Sequence, residues 1–436
     1  MVPKQADLSL VARRSQIPHG VQDRFLVEAA RRRRAVAAVR QCFARWGYQE
    51  VIPPTFEYYE NLSIGASAEL KEVMYRFFDQ RGQTLALRAD FTPQVARMAA
   101  TKLFDQPMPL RCCYSGSLFR REEPQAGHKR EFTQAGVELI GATTAEADAE
   151  VVALSIAALQ ALDFREFQVN LGQMAFFHEL TSNLPPDSLS DIRRAIDHKN
   201  SVHLAEALAR VGLSAEQRTL LQRLPDLIGG PEVLDQARRL SVGLDGSNRV
   251  TEALDRLAEV YRLLQAYGVS DHVILDLSEV RGMDYYSGIT FRGVAPGLGW
   301  PVMSGGRYDG LISQFGRPLA AVGFGIGIER ALLVQARQGV PDPSLDIQAL
   351  MHCCDQASCL SVAQQLRQRG NRIEVDVLGC ELDALVEQAR QRGISRVLTC
   401  HDGVWHLLEA EEERILSQEA LLTDSERWRK PAEGGW

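Results

Sequence analysis

Between Thr84 and Gly172 four short apolar runs, LALRADF, RCCYSGSLF, FTQAGVELIG and FQVNLG, have strand character, and helical stretches follow only the first and third. Strands joined without a helix pair as antiparallel neighbours. The chain is therefore expected to build a mostly antiparallel sheet with flanking helices, an α+β fold. Upstream, Leu26, Ala29, Val36, Val39, Phe43 and Trp46 recur at helical spacing. This predicts an amphipathic helix from about Val21 to Trp46, with Arg31 to Arg34 on its wet side. Gly47 ends it, and the stretch YQEVIPPTFE, with Pro53 next to Pro54, reads as an extended edge or bend.

From about 173 to 265 helical spacing runs nearly unbroken except at NLPPD, RVGLS and IGGPE, which marks a helical insert. Strand character returns in HVILDLSEV, YYSGITFRG and WPVMSGGRYDGL, and AAVGFGIGIERALLVQAR reads as strand then helix. A large domain over 1–338 is thus followed by a linker over 339–345. Residues 346–425 form a β-α-β-α-β-β series, a small C-terminal α/β domain. The tail over 426–436 reads as frayed.

Composition excludes several classes. With 45% apolar and 24% charged residues the chain has material for real cores. No run approaches the roughly 18 apolar residues of a spanning helix, so no membrane role is expected. Eight cysteines at irregular spacings, including the adjacent pairs Cys112-Cys113 and Cys353-Cys354, do not form a disulfide framework, and a cytoplasmic location fits. A net charge of −7 gives no global attraction to nucleic acid.

Four segments concentrate groups that bind anions or amino acids. In SGSLFRREEPQAGHKREFTQAGVE, Arg120 and Glu122 stand at a strand ending, and a second strand carries Gln134 and Glu138. Arg presents a planar fork for phosphate or carboxylate, and Gln with Glu can capture an ammonium or an imidazole N–H. The same charges on adjacent strands also suit a structural salt-bridge ladder. RGMDYYSG, from Arg281 to Gly288, sets a cation, a carboxylate and two tyrosines together. SGGRYDGL taken alone reads as a tight hairpin. GFGIGIER lets a strand and a helix approach closely, with Arg330 at their junction. It lacks the spacing of a dinucleotide site.

In this order the segments resemble the motifs of class II aminoacyl-tRNA synthetases, specifically the histidyl enzyme, over residues from about 18 to 335. GYQEVIPPTFE resembles motif 1, which builds the dimer interface, FRREE through GVELIG motif 2, GFGIGIER motif 3, and RGMDYYSG the histidine-specific segment. The resemblance implies a histidine pocket of Asp90, Thr92, Gln134, Glu138, Arg281, Tyr285 and Tyr286. It also implies vestigial ATP-site positions at Arg120, Glu122, His128 and Arg330, with no cofactor and no metal.

The departures point further. The synthetase's R-P-E-G-T run is Arg88-Ala89-Asp90-Phe91-Thr92 here, and two motif 2 loop arginines become Glu123 and His128. Those two changes remove about three units of positive charge, each worth about 3 kcal/mol at roughly 5 Å and an effective dielectric near 20. The runs LRADFTPQVAR, DHKNSVHLAEAL and LIGGPEVLDQARRL resemble instead the histidyl-synthetase paralogues that regulate short-form ATP phosphoribosyltransferase, although Glu329-Arg330 keeps the synthetase form. That resemblance implies a non-catalytic regulatory role in histidine biosynthesis. The partners would be a catalytic phosphoribosyltransferase subunit in a hetero-octamer, a second copy through motif 1, and histidine as effector. The alternatives are a divergent histidyl-tRNA synthetase and an adenylating enzyme acting on another amino acid or acceptor.

From Asp346 onward sixteen acids stand against ten Lys or Arg, and Trp405 is the only Phe, Tyr or Trp before Trp428. An RNA groove needs cations and stacking platforms, so this domain reads as a degenerate anticodon-binding fold without tRNA. His352, Cys353, Cys354, Cys359, Cys400 and His401 lie at strand ends and a helix start, where a metal or thiol site competes with ordinary buried cysteines; their spacing matches no zinc pattern. The purified chain, supplied with histidine, should not exchange pyrophosphate into ATP or charge tRNA. Turnover near the roughly 1 to 10 per second of ordinary enzymes would refute that expectation.

Overall fold

The helix Leu26–Arg45 buries Ala35, Val39, Cys42 and Phe43 along one stripe and ends where Gly47 takes a φ of 81°. It begins later than its periodicity predicts. Phe25 is extended, and Phe25 and Leu26 are both exposed, so no apolar burial holds an earlier turn. The following segment gives two short strands, β1 (Gln49–Glu50) and β2 (Phe56–Tyr58), separated by Pro53 and Pro54, which have no N–H to donate. These come from a computed structural model that describes residues 16–122, 129–244, 247–280, 285–343, 347–353, 356–401, 403–409 and 412–423. The chain divides into two units, Met1–Asp342 and Pro343–Trp436.

In the first unit β2 joins β3 (Arg76–Phe78) and β4 (Thr84–Leu87) in a small antiparallel sheet, order β2-β4-β3. The main strands are β5 (Leu110–Phe119), β6 (Glu131–Ile140), β7 (Gln168–Gln173), β8 (Ile228–Gly229), β9 (Val273–Asp276), β10 (Ile289–Val294), β11 (Met303–Arg307) and β12 (Ala321–Gly327). With β1 they form, among the described residues, a nine-stranded sheet ordered β1-β5-β6-β12-β11-β10-β7-β9-β8. Its parallel pairs are β1 with β5 and β7 with β9, and the others are antiparallel as the strand pattern predicts.

SGGRYDGL is not a hairpin turn. Ser304 to Arg307 lie inside β11, paired on one side with β10 and on the other with β12. A Cβ at Gly305 would sit 2.4 Å from the Gly323 carbonyl oxygen and 2.6 Å from the Phe291 ring. Glycine is needed there because the flanking strands of the same sheet crowd the position, a demand that neighbouring residues in sequence do not reveal.

The helix Ala145–Ala161 packs on the sheet with most of its residues buried. The segment read as an insert contains the helices Met174–Thr181, Pro186–Asp197, Ser201–Ala209, Ala215–Arg223, Glu232–Leu240 and Ser247–Ala266, and adds β8 to the sheet edge. Its Phe176, Phe177, Leu257 and Leu264 share one core with Val137, Val152 and Phe291. Buried Asp148 ties the layers by polar contact: Arg307 of β11 and Arg256 of the last insert helix each donate an Nε–H to it at 2.8 Å.

The second unit holds β13 (Ala349–Met351), β14 (Ile373–Val375), β15 (Arg396–His401), β16 (Val404–Glu409) and β17 (Glu412–Leu416), ordered β14-β13-β15-β16-β17. β17 and the helix Gln418–Thr423 extend the predicted series, because EERIL carries too little apolar alternation to read as a strand. Met351, Leu398, Trp405, Leu407 and Leu421 form its core, together with Cys359 and Cys400. His352 Nδ1 lies 3.1 Å from Thr399 Oγ1, and among the described residues no group of three His, Cys, Asp or Glu is placed to hold a metal ion. Cys354 and the tail over 426–436 lie outside the described residues, and no described helix is long and apolar enough to cross a membrane.

Removing one partner of a buried ion pair strands the other charge. Urea unfolding of Asp148→Ala should therefore show a loss of about 3 to 5 kcal/mol relative to the parent chain.

Candidate functional site

β6 presents Gln134 and Glu138 four residues apart, hence on one face of the sheet. Their cross-strand partners on β5 are Gly116 and Cys112, with Tyr114 opposite Gly136 between them. On the other side β12 offers Gly323 opposite Glu138, where a Cβ would lie 1.8 Å from Glu138 Oε2. At Gly325 a Cβ would lie 2.5 Å from Gln134 Nε2. Only glycines leave room for both polar side chains to lie across the sheet.

Glu138 is wholly buried and held by three hydroxyls. Thr92 donates to its Oε1 at 2.8 Å, Tyr114 to the same atom at 3.3 Å, and Tyr308 to Oε2. Burial pushes its pKa up to about 8 against the pull of those hydrogen bonds, and nearby Asp90 raises it further. Thr92 opens the helix Thr92–Thr101, and Asp90 precedes it in the turn. Asp90 accepts from Tyr285 Oη at 3.2 Å; burial raises its pKa while Arg120 opposes that shift. Tyr285 stands edge-on to Tyr286 and Tyr308, with ring centroids 5.2 and 5.6 Å away.

Asp90, Thr92, Gln134, Glu138, Tyr285 and Tyr286 thus line one hollow with Tyr114, Ser304, Tyr308 and Arg120. Including its open mouth the hollow encloses about 440 Å³. The Gln134 side-chain oxygen is buried and accepts no hydrogen bond from any described residue. Arg281 and His128, and with them Glu123, lie outside the described residues.

A second hollow of about 590 Å³ adjoins the first, sharing Arg120, Gln134, Ser304 and Gly325. It gathers Arg120, Glu122, Lys129, Phe132 and Arg330. The strand expected to carry Arg120 ends at Phe119, yet Arg120 N–H still donates to Arg130 O at 2.9 Å, so the residue keeps its strand direction. Its guanidinium lies 5.2 Å from the Phe132 ring centre and 3.9 Å from Glu122. Arg330 donates to Pro301 O at 2.8 Å, and burial followed by the neighbouring Arg120 charge lowers its pKa. Glu329 accepts from Thr133 N–H at 2.7 Å and pairs with Arg24 at 2.9 Å. In this chain Glu329 and Arg330 both hold the local fold, so their presence does not by itself require adenylation chemistry.

Tyr114, Ser304 and Tyr308 are the pocket residues that sequence reasoning missed. For Tyr114 a signal existed: it alternates with Cys112 and Gly116, the strand positions opposite Glu138 and Gln134. For Ser304 and Tyr308 the strand character of WPVMSGGRYDGL gives β11 but not its facing, and the hairpin reading of SGGRYDGL alone carries no signal for a pocket.

The histidyl-tRNA synthetase family model matches residues 20–331. The ATP phosphoribosyltransferase regulatory subunit of Symbiobacterium thermophilum is 40% identical over 396 residues, 90% of this chain and 98% of that protein. A crystal structure described as an ATP phosphoribosyltransferase regulatory subunit/histidyl-tRNA synthetase from Bacillus halodurans superposes with a TM-score of 0.77 at 30% identity, covering 88% of this chain and 98% of that one. Histidyl-tRNA synthetase from Nostoc shares the fold, with a TM-score of 0.79 at 21% identity over 93% of this chain and 98% of its own. With the family model matching most of the large unit and the regulatory-subunit relative aligned across nearly its whole length, the chain belongs to the histidyl-tRNA synthetase-like family of ATP phosphoribosyltransferase regulatory subunits.

Proposed function

We propose that this chain is a non-catalytic, cytoplasmic regulatory subunit of a short-form ATP phosphoribosyltransferase. It would hold the catalytic subunit in its active state and convey histidine feedback to the first step of histidine biosynthesis. The 40% identity over nearly the whole of a relative bearing that name supports the subunit role. The sensor role rests on one observation in the pocket: a fully buried carboxyl, Glu138, caged by hydroxyls beside the unmet acceptor of Gln134. Two inward acceptors suit the N–H groups of an ammonium or an imidazole. Feedback then requires that histidine bind the two states of the assembly with different affinity.

A second copy would pair through motif 1. β2 and β3 leave Phe56, Tyr58 and Phe77 exposed on one side of the small sheet, with Phe56 and Phe77 in edge contact at 5.6 Å. An uncovered aromatic face of this kind is what a protein interface fills. The catalytic subunit would complete a hetero-octamer, and the acidic second unit supports a role without tRNA. The Phe56→Asp variant should dissociate the dimer in sedimentation velocity, and an unchanged dimer would remove motif 1 from the interface.

Calorimetry tests the sensor. Glu138→Gln keeps shape but removes the charge, and should weaken histidine binding by about 1.5 to 3 kcal/mol, the range for a charge-assisted hydrogen bond. Unchanged affinity, with the reconstituted complex still histidine-inhibited, would move the sensor elsewhere.

The pH dependence has a fixed sign. Near pH 7 the empty pocket holds Glu138 mostly protonated, facing Asp90, Tyr114, Tyr285, Tyr286, Tyr308 and Arg120. A ligand N–H donor demands the carboxylate, so binding expels a proton and affinity should rise up to about tenfold per pH unit between roughly pH 7 and 8, then level off. Buffers of different ionisation enthalpy should report that released proton in the parent and not in Glu138→Gln.

A further inference from the structure

Beneath the pocket lies a stack of buried side chains, of which Tyr114 lines the open space and Arg88 and Phe91 do not. The Arg88 guanidinium sits 4.4 Å from the centre of the Phe91 ring, and Phe91 stacks on Tyr114 at 4.4 Å with an interplanar angle of 18°. Tyr114 ends on Glu138. Arg88, Phe91 and Tyr114 are 8%, 1% and 3% exposed. At the far end Arg88 is pinned by three carbonyls, donating to Ser117 O at 2.7 Å, Pro53 O at 3.0 Å and Pro54 O at 3.5 Å. Two glycines make way for it: a Cβ at Gly116 would lie 2.7 Å from Arg88 Nη2, and one at Gly136 2.5 Å from Tyr114 Oη.

A buried guanidinium is costly, and this one has no carboxylate within ion-pair reach among the described residues; its burial lowers its pKa. Carbonyls and an aromatic face compensate it, an arrangement that fixes position more than it adds charge. The residue between the cation and the tyrosine is Phe91, the bulky aromatic of the Arg88-Ala89-Asp90-Phe91-Thr92 run. No pocket chemistry requires it, because it lines neither hollow.

We propose that Arg88 and Phe91 are positioning residues of the pocket: they hold the Tyr114 ring, and through it the Glu138 carboxyl, in register for the ligand. This deepens the sensor reading and rests on it for the ligand's identity. The anchoring carbonyls of Pro53 and Pro54 belong to the segment leading into β2 and its exposed aromatic face.

A double-mutant cycle on the full chain, with L-histidine as the titrant, tests the proposal. Phe91→Leu keeps most of the apolar volume but loses the flat face. It should weaken histidine binding about three- to tenfold, the scale of a lost aromatic or cation–π contact. Tyr114→Phe should do likewise, and the double variant should bind no worse than the weaker single one, because both act through the same hydroxyl. Should Phe91→Leu not fold, Arg88→Met takes its place in the cycle. Unchanged affinity in the single variants, or losses that simply add, would overturn the proposal.

If the parent chain binds no histidine, the sensor reading fails, and the column is judged on Glu138 itself. The folded state keeps the Glu138 proton up to about pH 8 while the unfolded chain loses it near 4.5, so this group's contribution to stability falls as pH rises through that window. Taken as the difference between a chain and its Glu138→Gln counterpart, the upper midpoint should drop in Phe91→Leu or Arg88→Met as the loosened floor admits water. A midpoint that stays in place would reject the column.

Discussion

Glu138 is a carboxyl group with no exposure at the middle of an apolar sheet, and a group in that position must be satisfied or neutralised. Much of the surrounding sequence serves that requirement. Thr92, Tyr114 and Tyr308 come from three distant stretches of chain to place hydroxyls on its two oxygens. Gly323 gives up its side chain so that the carboxyl can lie across β12. The residual cost appears as the raised pKa.

Other buried or half-buried charges in the large unit are resolved differently. Asp148 meets two arginines, one from the sheet and one from the helical segment, and so joins layers that apolar contacts alone would leave free to slide. Glu279 is paired with Arg292 on β10, and burial still raises its pKa to about 7. Glu329 is shared by Arg24, Arg32 and Thr133, joining the first helix to β6. These carboxylates have cationic partners and serve the scaffold. Glu138 has hydroxyls instead of a cationic partner.

In the second hollow the motif 3 residues also serve the local fold. Arg120 and Arg330 still face one space, but Arg330 is bonded to Pro301 O and Glu329 is committed to the scaffold. Motif 3 at the residue level is therefore compatible with a subunit that does no chemistry. The charge lost at Glu123 and His128 is a statement of sequence alone, since both lie outside the described residues.

The strand segments and the mostly antiparallel sense of the sheet were legible, as in RCCYSGSLF and FTQAGVELIG, because apolar runs joined without a helix are a local property, whereas the strand order was not. Strand periodicity placed Gln134 and Glu138 on one face, and the motif order named the family. WPVMSGGRYDGL had strand character, as β11 shows, while the hairpin reading of SGGRYDGL alone failed because glycine serves both turns and crowded strand positions, and only the neighbours in space tell which. The helix start at Leu26 and the strand at Glu412–Leu416 failed for the matching reason: exposure and edge pairing override weak local preference. Sequence by itself therefore determined the α+β class and the family, and pointed to Asp90, Thr92, Gln134, Glu138, Tyr285 and Tyr286 among the residues that line the hollow. Tertiary structure alone decided that Tyr308 closes on Glu138, that Asp148 binds the helical segment to the sheet, and that Arg88 and Phe91 stand under Tyr114. Each of these depends on side chains far apart in the chain meeting at distances that only the packed sheet sets.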